Sequence, residues 1–161
     1  MNKALFLDRD GVINEDFGHV YRIEDFKFCD GIFDLCRYYQ QEGYLILIVT
    51  NQAGIGKKLY TLDDLNRLND WMMQEFEHHG IHISKIYYCP HRPEEHCSCR
   101  KPAPGMFLKA IEEFNLDPKK CVAIGDKMSD LQAASLANIK KLYFKKTRYE
   151  ETKVDFDYKY L

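Results

Sequence analysis

Two acids one residue apart, Asp8 and Asp10, follow directly on the apolar run Leu5, Phe6, Leu7. Carboxylates held this close repel each other unless a cation neutralises them, and a hard oxygen site with few protein ligands suits Mg²⁺. Alone, the pair would also fit an acidic turn in which Gly11 takes a positive φ. It is not alone. A second apolar run ends at Gly125 and leads into Asp126, Lys127 and Asp130, and a third ends in Thr50 and Asn51, which offer a hydroxyl and an amide. Arg100 and Lys101 add fixed positive charge. Acids, a cation, neutral donors and a lysine around one carboxylate suit phosphoryl transfer, where the protein positions the group and neutralises its oxygens. There Asp8 can attack phosphorus as a nucleophile. Asp10 fits the partner role, protonating the leaving oxygen and then activating water.

A second cluster has different chemistry. Cys89, His91, Cys97 and Cys99 place three thiols and an imidazole within eleven positions, a tetrahedral zinc set. Four such ligands leave no open position for water, so the metal would be structural and would fold a loop that has almost no apolar residues of its own. Reduced cysteines without metal are the plainer alternative. His96 reads as a solvated neighbour, because C-x-H and C-x-C pair the ligands more naturally. Arg100 and Lys101 follow Cys99 at once, so a zinc loop over residues 89–101 would set the position of the cations that meet substrate.

The elements that must position these groups alternate. Strand-like runs at residues 4–7, 45–49, 85–88, 121–124 and 141–144 are separated by stretches of helical periodicity at 31–41, from Thr61 to Gly80, at 104–114 and at 129–137. The Thr61 hydroxyl can cap the amides of Asp63 and Asp64, with Leu62, Leu65, Leu68, Trp71, Met72 and Phe76 on one face of that helix. Such alternation predicts an α/β, Rossmann-like three-layer sandwich with a central parallel sheet and right-handed crossovers. Ligands in such sheets sit beyond the carboxyl ends of the strands, where Asp8, Asp10, Thr50, Asn51, Asp126 and Asp130 all fall. No insertion is long enough to fold as a cap domain. Cys29, Cys36 and Cys121 lie in or beside apolar segments and read as core; an edge strand is expected near residues 154–158.

Composition bounds the function. With 161 residues the chain has room for one domain, read as residues 1–161. Lys plus Arg is 23 and Asp plus Glu is 25, a net charge of −2 that disfavours broad nucleic-acid binding. No apolar run approaches the roughly 18 residues of a membrane span, and no leader pattern precedes the first strand, so the expectation is a cytoplasmic monomer. In that reducing setting the six cysteines are not a disulfide framework.

Four segments carry a resemblance over nearly the whole chain. DRDGVIN at residues 8–14, VTNQ at 49–52, RKP at 100–102 and GDKMSD at 125–130 resemble the four motifs of the haloacid dehalogenase-like phosphatases. The resemblance implies Asp8 as nucleophile, Asp10 as acid and base, and Thr50 and Lys101 holding the transferred phosphoryl group. It also implies Mg²⁺ on Asp8, the Asp10 backbone carbonyl and Asp126. The cysteine loop narrows it to two zinc-containing branches, the D-glycero-D-manno-heptose 1,7-bisphosphate phosphatases and the histidinol-phosphate phosphatases. DFGHV at 16–20, YYCPH entering the loop and RKPAPGM leaving it are similar to the heptose branch, whereas the five residues between His91 and Cys97 are similar to the histidinol-phosphate branch. The heptose reading implies hydrolysis of the 7-phosphate through an aspartyl phosphate, for a nucleotide-activated heptose of surface polysaccharide. Asp16, Phe17, Gly18 and His19, with Thr50, Asn51, Gln52 and Ala53, would line this small phosphorylated sugar, and Arg100 would meet its far part. Histidinol-phosphate hydrolysis is the alternative. A receiver-type signalling module is a distant one, since its phosphorylated Asp lies at a middle strand and it has no cysteine loop.

Overall fold

The computed structural model describes residues 1–145 and 158–160. The strands are β1 (Ala4–Leu7), β2 (Leu45–Asn51), β3 (Ile83–Cys89), β4 (Val122–Gly125), β5 (Lys141–Phe144) and β6 (Tyr158–Tyr160). They form one sheet in the order β3-β2-β1-β4-β5-β6, with every pairing parallel except β5 with β6. All four residues of β1 are buried, as a central strand covered on both faces must be.

Alternation along the strands divides the interior in two. Leu5, Leu7, Ile46, Ile48 and Ile83 face a core shared with Ile32, Leu35 and Cys36 of α1 (Ile32–Gln41) and Leu68, Met72 and Phe76 of α3 (Leu62–His78). Ala4, Phe6, Leu47, Val49 and Tyr87 face the other way. They meet Met106, Phe107 and Ala110 of α4 (Gly105–Glu113) and Leu131, Ala133 and Ala134 of α5 (Met128–Leu136). Each large side chain buried there stabilises the sandwich by about 1.5–3 kcal/mol. The result is the three-layer architecture expected, and no cap domain stands between its elements among the described residues.

Several boundaries differ from the sequence reading. β2 runs on to Asn51 and β3 spans Ile83–Cys89, so Thr50, Asn51 and Cys89 belong to strand ends rather than to the loops after them. Cys121 precedes β4 and is fully buried. A four-residue helix, α2 (Ala53–Gly56), follows β2; so short an element shows no period in sequence. Thr61 caps α3 through a reciprocal box with Asp64 alone, and Leu62 is 42% exposed because it lies in the first turn, off the buried face. Of the edge strand expected near residues 154–158, residues 154–157 lie outside the described residues, while the backbone of β6 pairs antiparallel with β5. No helix of the described residues is long and apolar enough to cross a membrane.

Candidate active site

The carboxyl ends of β1, β2 and β4 bring the predicted acids together. Asp8 leaves β1 still in sheet register, its N–H donating to Ile124 O at 3.3 Å. Lys101 reaches the same edge from the end of the cysteine loop. Its Nζ donates to Asp8 Oδ1 at 3.0 Å, Asp130 Oδ1 at 2.7 Å and Val49 O at 2.8 Å, which uses all three ammonium hydrogens. Burial alone would lower the pKa of this ammonium, but the Asp8 and Asp130 carboxylates raise it above the ordinary lysine value. Lys101 is therefore a fixed positive charge.

One ammonium does not balance three carboxylates. Oxygens of Asp8, Asp126 and Asp130 lie within 4.8 Å of one another. Burial first, then Asp130, push the Asp8 carboxyl well above the usual carboxylate range, against the pull of Lys101. Burial and Asp130 likewise raise Asp126 to about 6. The Asp126 Oδ1 atom is buried without a hydrogen-bond partner. Asp130 is occupied differently: Oδ1 holds Lys101, and Oδ2 accepts the N–H groups of Asp126 and Lys127 at 3.2 and 3.1 Å. Excess negative charge and an orphaned carboxylate oxygen on Asp126 fit a hard divalent cation. The fit depends on Gly11, whose φ is +92° and whose missing Cβ would stand 1.9 Å from Asp126 Oδ2. Lys145, the residue after β5, secures that turn by donating to Gly11 O at 3.0 Å.

Asp10 is held from two sides. Its Oδ1 accepts from Arg9 Nε at 3.1 Å, Arg9 Nη2 at 2.8 Å and Asn14 Nδ2 at 2.9 Å, and its Oδ2 accepts from Gln52 Nε2 at 3.2 Å. Arg9 is fully buried and also donates to Val20 O, which ties the segment after the 16–19 loop to the acid. Thr50 Oγ1, buried, accepts from Gln52 Nε2 at 2.9 Å.

The residues expected along the substrate divide into two groups. Asn51 and Gln52 turn their side chains into the protein: Asn51 braces both backbone atoms of Lys101, accepting its N–H at 3.0 Å and donating to its carbonyl at 3.2 Å. Ala53 is buried at the start of α2. Asp16, Phe17, Gly18 and His19 form an outer turn in which Asp16 Oδ1 accepts the Gly18 N–H at 2.9 Å; Phe17 is 64% exposed and Lys127 Nζ lies 3.9 Å from Asp16 Oδ2. Arg100 keeps one buried guanidinium nitrogen, Nη1, without a protein partner.

The cysteine loop converges as its spacing implied. Cys89 Sγ lies 3.4 Å from His91 Nδ1 and 3.5 Å from Cys97 Sγ, and Cys99 Sγ lies 3.2 Å from His91 Nδ1 and 3.6 Å from Cys97 Sγ. The Cys89–Cys99 separation is 2.7 Å. The Cys97 thiol is brought down to about 6: desolvation opposes ionisation, but the Arg100 N–H at 3.3 Å and the Cys89 thiol favour it. Burial pushes the Cys89 thiol up. Three sulfurs and an imidazole nitrogen within 4.8 Å of one another, one already disposed to be a thiolate, are a donor set for a soft or borderline metal.

Reasoning from sequence passed over Arg9, Asn14, Tyr60 and Lys145, and placed Asp130 at the edge without giving it a catalytic or metal role. Asp130 carried a signal, since an acid at the third position of the helix after Gly125 caps that helix toward the site. Lys145 carried none, because 134 residues separate it from Gly11.

A family model described as a haloacid dehalogenase-like hydrolase matches residues 2–138. A protein of Campylobacter jejuni subsp. jejuni serotype O:2 named D-glycero-alpha-D-manno-heptose-1,7-bisphosphate 7-phosphatase is 56% identical over 137 residues, 85% of this chain and 78% of that protein. The D-glycero-beta-D-manno-heptose-1,7-bisphosphate 7-phosphatase of Haemophilus influenzae is 43% identical over 146 residues, 87% of this chain and 79% of that protein. Among solved structures, D,D-heptose 1,7-bisphosphate phosphatase from B. bronchiseptica, complexed with magnesium and phosphate, superposes with a TM-score of 0.82 at 30% identity, covering 89% of this chain and 80% of that one.

Proposed function

This chain belongs to the haloacid dehalogenase-like hydrolases, and on that premise we propose that it is a phosphatase removing the 7-phosphate of D-glycero-D-manno-heptose 1,7-bisphosphate. The observation that carries the chemistry is the buried Lys101 held between Asp8 and Asp130, a fixed cation beside a nucleophilic carboxylate. The substrate rests on the two relatives so named, of which the one named for the alpha anomer is more similar to this chain. The α anomer is thus the expected preference.

In this reading the Asp8 carboxylate attacks phosphorus, and the new O–P bond forms as the ester O–P bond breaks. Asp10 gives its proton to the departing sugar oxygen. Asp10 then takes a proton from water, which attacks the aspartyl phosphate, frees inorganic phosphate and restores Asp8. Lys101, exchanging its bond to Asp8 for one to the incoming group, and the Thr50 hydroxyl would hold the phosphoryl oxygens, positioned by Asn51 and Gln52. Asp8, Asp126 and the Asp10 backbone carbonyl would hold Mg²⁺, which when bound supplies positive charge against those oxygens. Cys89, His91, Cys97 and Cys99 would hold Zn²⁺, which fixes the loop carrying Arg100 and Lys101. Asp16, Phe17, Gly18, His19 and Ala53 would line the sugar, and Arg100 its far phosphate, using the guanidinium nitrogen that no protein group satisfies. The whole chain would act as one domain, a cytoplasmic monomer.

The test is phosphate release with Mg²⁺ from both anomers of the heptose bisphosphate and from histidinol phosphate, with Asp8→Asn as the blank. Asp8-dependent release that favours a heptose anomer is the expected result. Preference for histidinol phosphate would overturn the substrate assignment in favour of the branch that the compact metal loop resembles.

A further inference from the structure

Gln52 links the catalytic edge to the interior. It is buried, and its Nε2 donates to Asp10 Oδ2 at 3.2 Å and to Thr50 Oγ1 at 2.9 Å, which uses both amide hydrogens. Those bonds exist only while the NH₂ end faces the edge. A primary amide turned by half a revolution occupies nearly the same volume, so shape alone does not choose between the two orientations. Tyr60 chooses. Its hydroxyl donates to Gln52 Oε1 from inside the protein, and burial pushes the phenol up to about 12, so it stays protonated. The ring is seated on Tyr21, stacked with centroids 5.1 Å apart and planes 10° from parallel. It enters only because residue 54 is glycine, where a Cβ would stand 2.1 Å from Tyr60 Cε1.

We propose that Tyr60 is a positioning residue for the phosphoryl transfer, fixing the Gln52 amide with its NH₂ toward Asp10 and Thr50. The inference rests on the phosphatase reading given above. Because the Thr50 oxygen accepts from Gln52, the hydroxyl proton points elsewhere, and its protein hydrogen bond, to Asn51 O, is a long one of 3.4 Å. That proton is available to a phosphoryl oxygen. Reversal of the amide would set its carbonyl against the Asp10 carboxylate and draw the Thr50 proton to Gln52, removing a donor from the transition state.

Tyr60→Phe removes the hydroxyl and leaves the ring on Tyr21. We expect kcat to fall about tenfold, the effect of losing roughly one hydrogen bond's worth of positioning, with KM changed less than about twofold. Gln52→Met should lose at least as much, and adding Tyr60→Phe to it should cost nothing further, as a double-mutant cycle requires of a residue acting through another. Wild-type kcat in Tyr60→Phe, or losses that multiply in the double variant, would overturn the proposal. A second measurement needs no turnover: the side-chain amide resonances of Gln52, assigned by their absence in Gln52→Met, should shift in Tyr60→Phe. Unmoved resonances would also overturn it. A wild-type protein without Asp8-dependent phosphate release would instead defeat the phosphatase reading, and the resonances would still decide the orientation of the amide.

Discussion

The catalytic edge and the cysteine loop each crowd groups that repel one another, and they are built in opposite ways. At the edge, Lys101 meets Asp8 across 93 residues of chain, whereas Cys89 and Cys99 are only ten apart. The edge carries its own cation and a frame of protein hydrogen bonds from Arg9, Asn14, Gln52 and Asn51. The loop is anchored mainly at its ends, by Cys89 in β3, by the Gly56 N–H on Pro90 O and the Gly105 N–H on Ser98 O, both at 3.0 Å, and by Asn51 on the Lys101 backbone. Between them stand the other three donors, one short 3₁₀ turn at Pro93–Glu95 and the Arg100 N–H. An edge braced on every side should keep its shape without a cation, whereas the middle of the loop should depend more on a metal held by its donors. The two meet at Arg100 and Lys101, where the local element delivers a residue to the distributed one.

The sharpest break in that comparison is Asp8→Asn. Phosphate release should fall by about 10⁴-fold or more, while the metal-free protein melts at a higher temperature, because one of three mutually repelling carboxylates is gone. Steady-state rates and thermal melts read both effects. Cys97→Ser attacks the other region. It should lower kcat about 10–100-fold through displacement of Lys101, with the far-UV circular dichroism of the sheet unchanged; unchanged kcat would mean that the loop does not govern the edge.

A third test separates the regions by pH. Asp126 rises from 3.8 to about 6 on folding, so the native metal-free protein binds its proton more tightly than the unfolded chain does. Stability therefore falls as pH rises through that window, contrary to the usual behaviour of a salt-bridged acid. Mg²⁺, which binds the deprotonated carboxylates, should reverse the slope, and melts with and without it check the sign. The smallest effect expected is at Thr61→Ala, which follows Tyr60 but whose hydroxyl is turned to the α3 backbone at Asp64: about 1 kcal/mol of stability lost with the cap and little change in kcat.

Much of the site was legible because strand ends and motifs coincide. Leu7 to Asp8 and Gly125 to Asp126 are apolar-to-acid steps, and a parallel sheet puts such steps on one edge whatever lies between them. Asn51 and Gln52 could be placed at that edge too, but not the direction of their side chains. The extension of β2 to Asn51 points Asn51 at the Lys101 backbone, and α2 returns the chain so that Tyr60 meets Gln52. Arg9 stood between the two acids as a spacer. Only burial turned its side chain into a clamp on Asp10, since a guanidinium removed from water must find acceptors nearby.

By itself the sequence determined which groups could do the chemistry, that they sit at strand termini, and that four metal donors lie within reach of one another along a single loop. These follow from periodicity and from spacings too short for the chain to separate. The tertiary structure alone decided that Lys101 stands between Asp8 and Asp130, that Arg9 and Gln52 grip opposite oxygens of Asp10, and that Tyr60 orients the amide. Hydrogen bonds are directional over about 3 Å, and no pattern in one dimension specifies which buried atoms of distant segments will come that close.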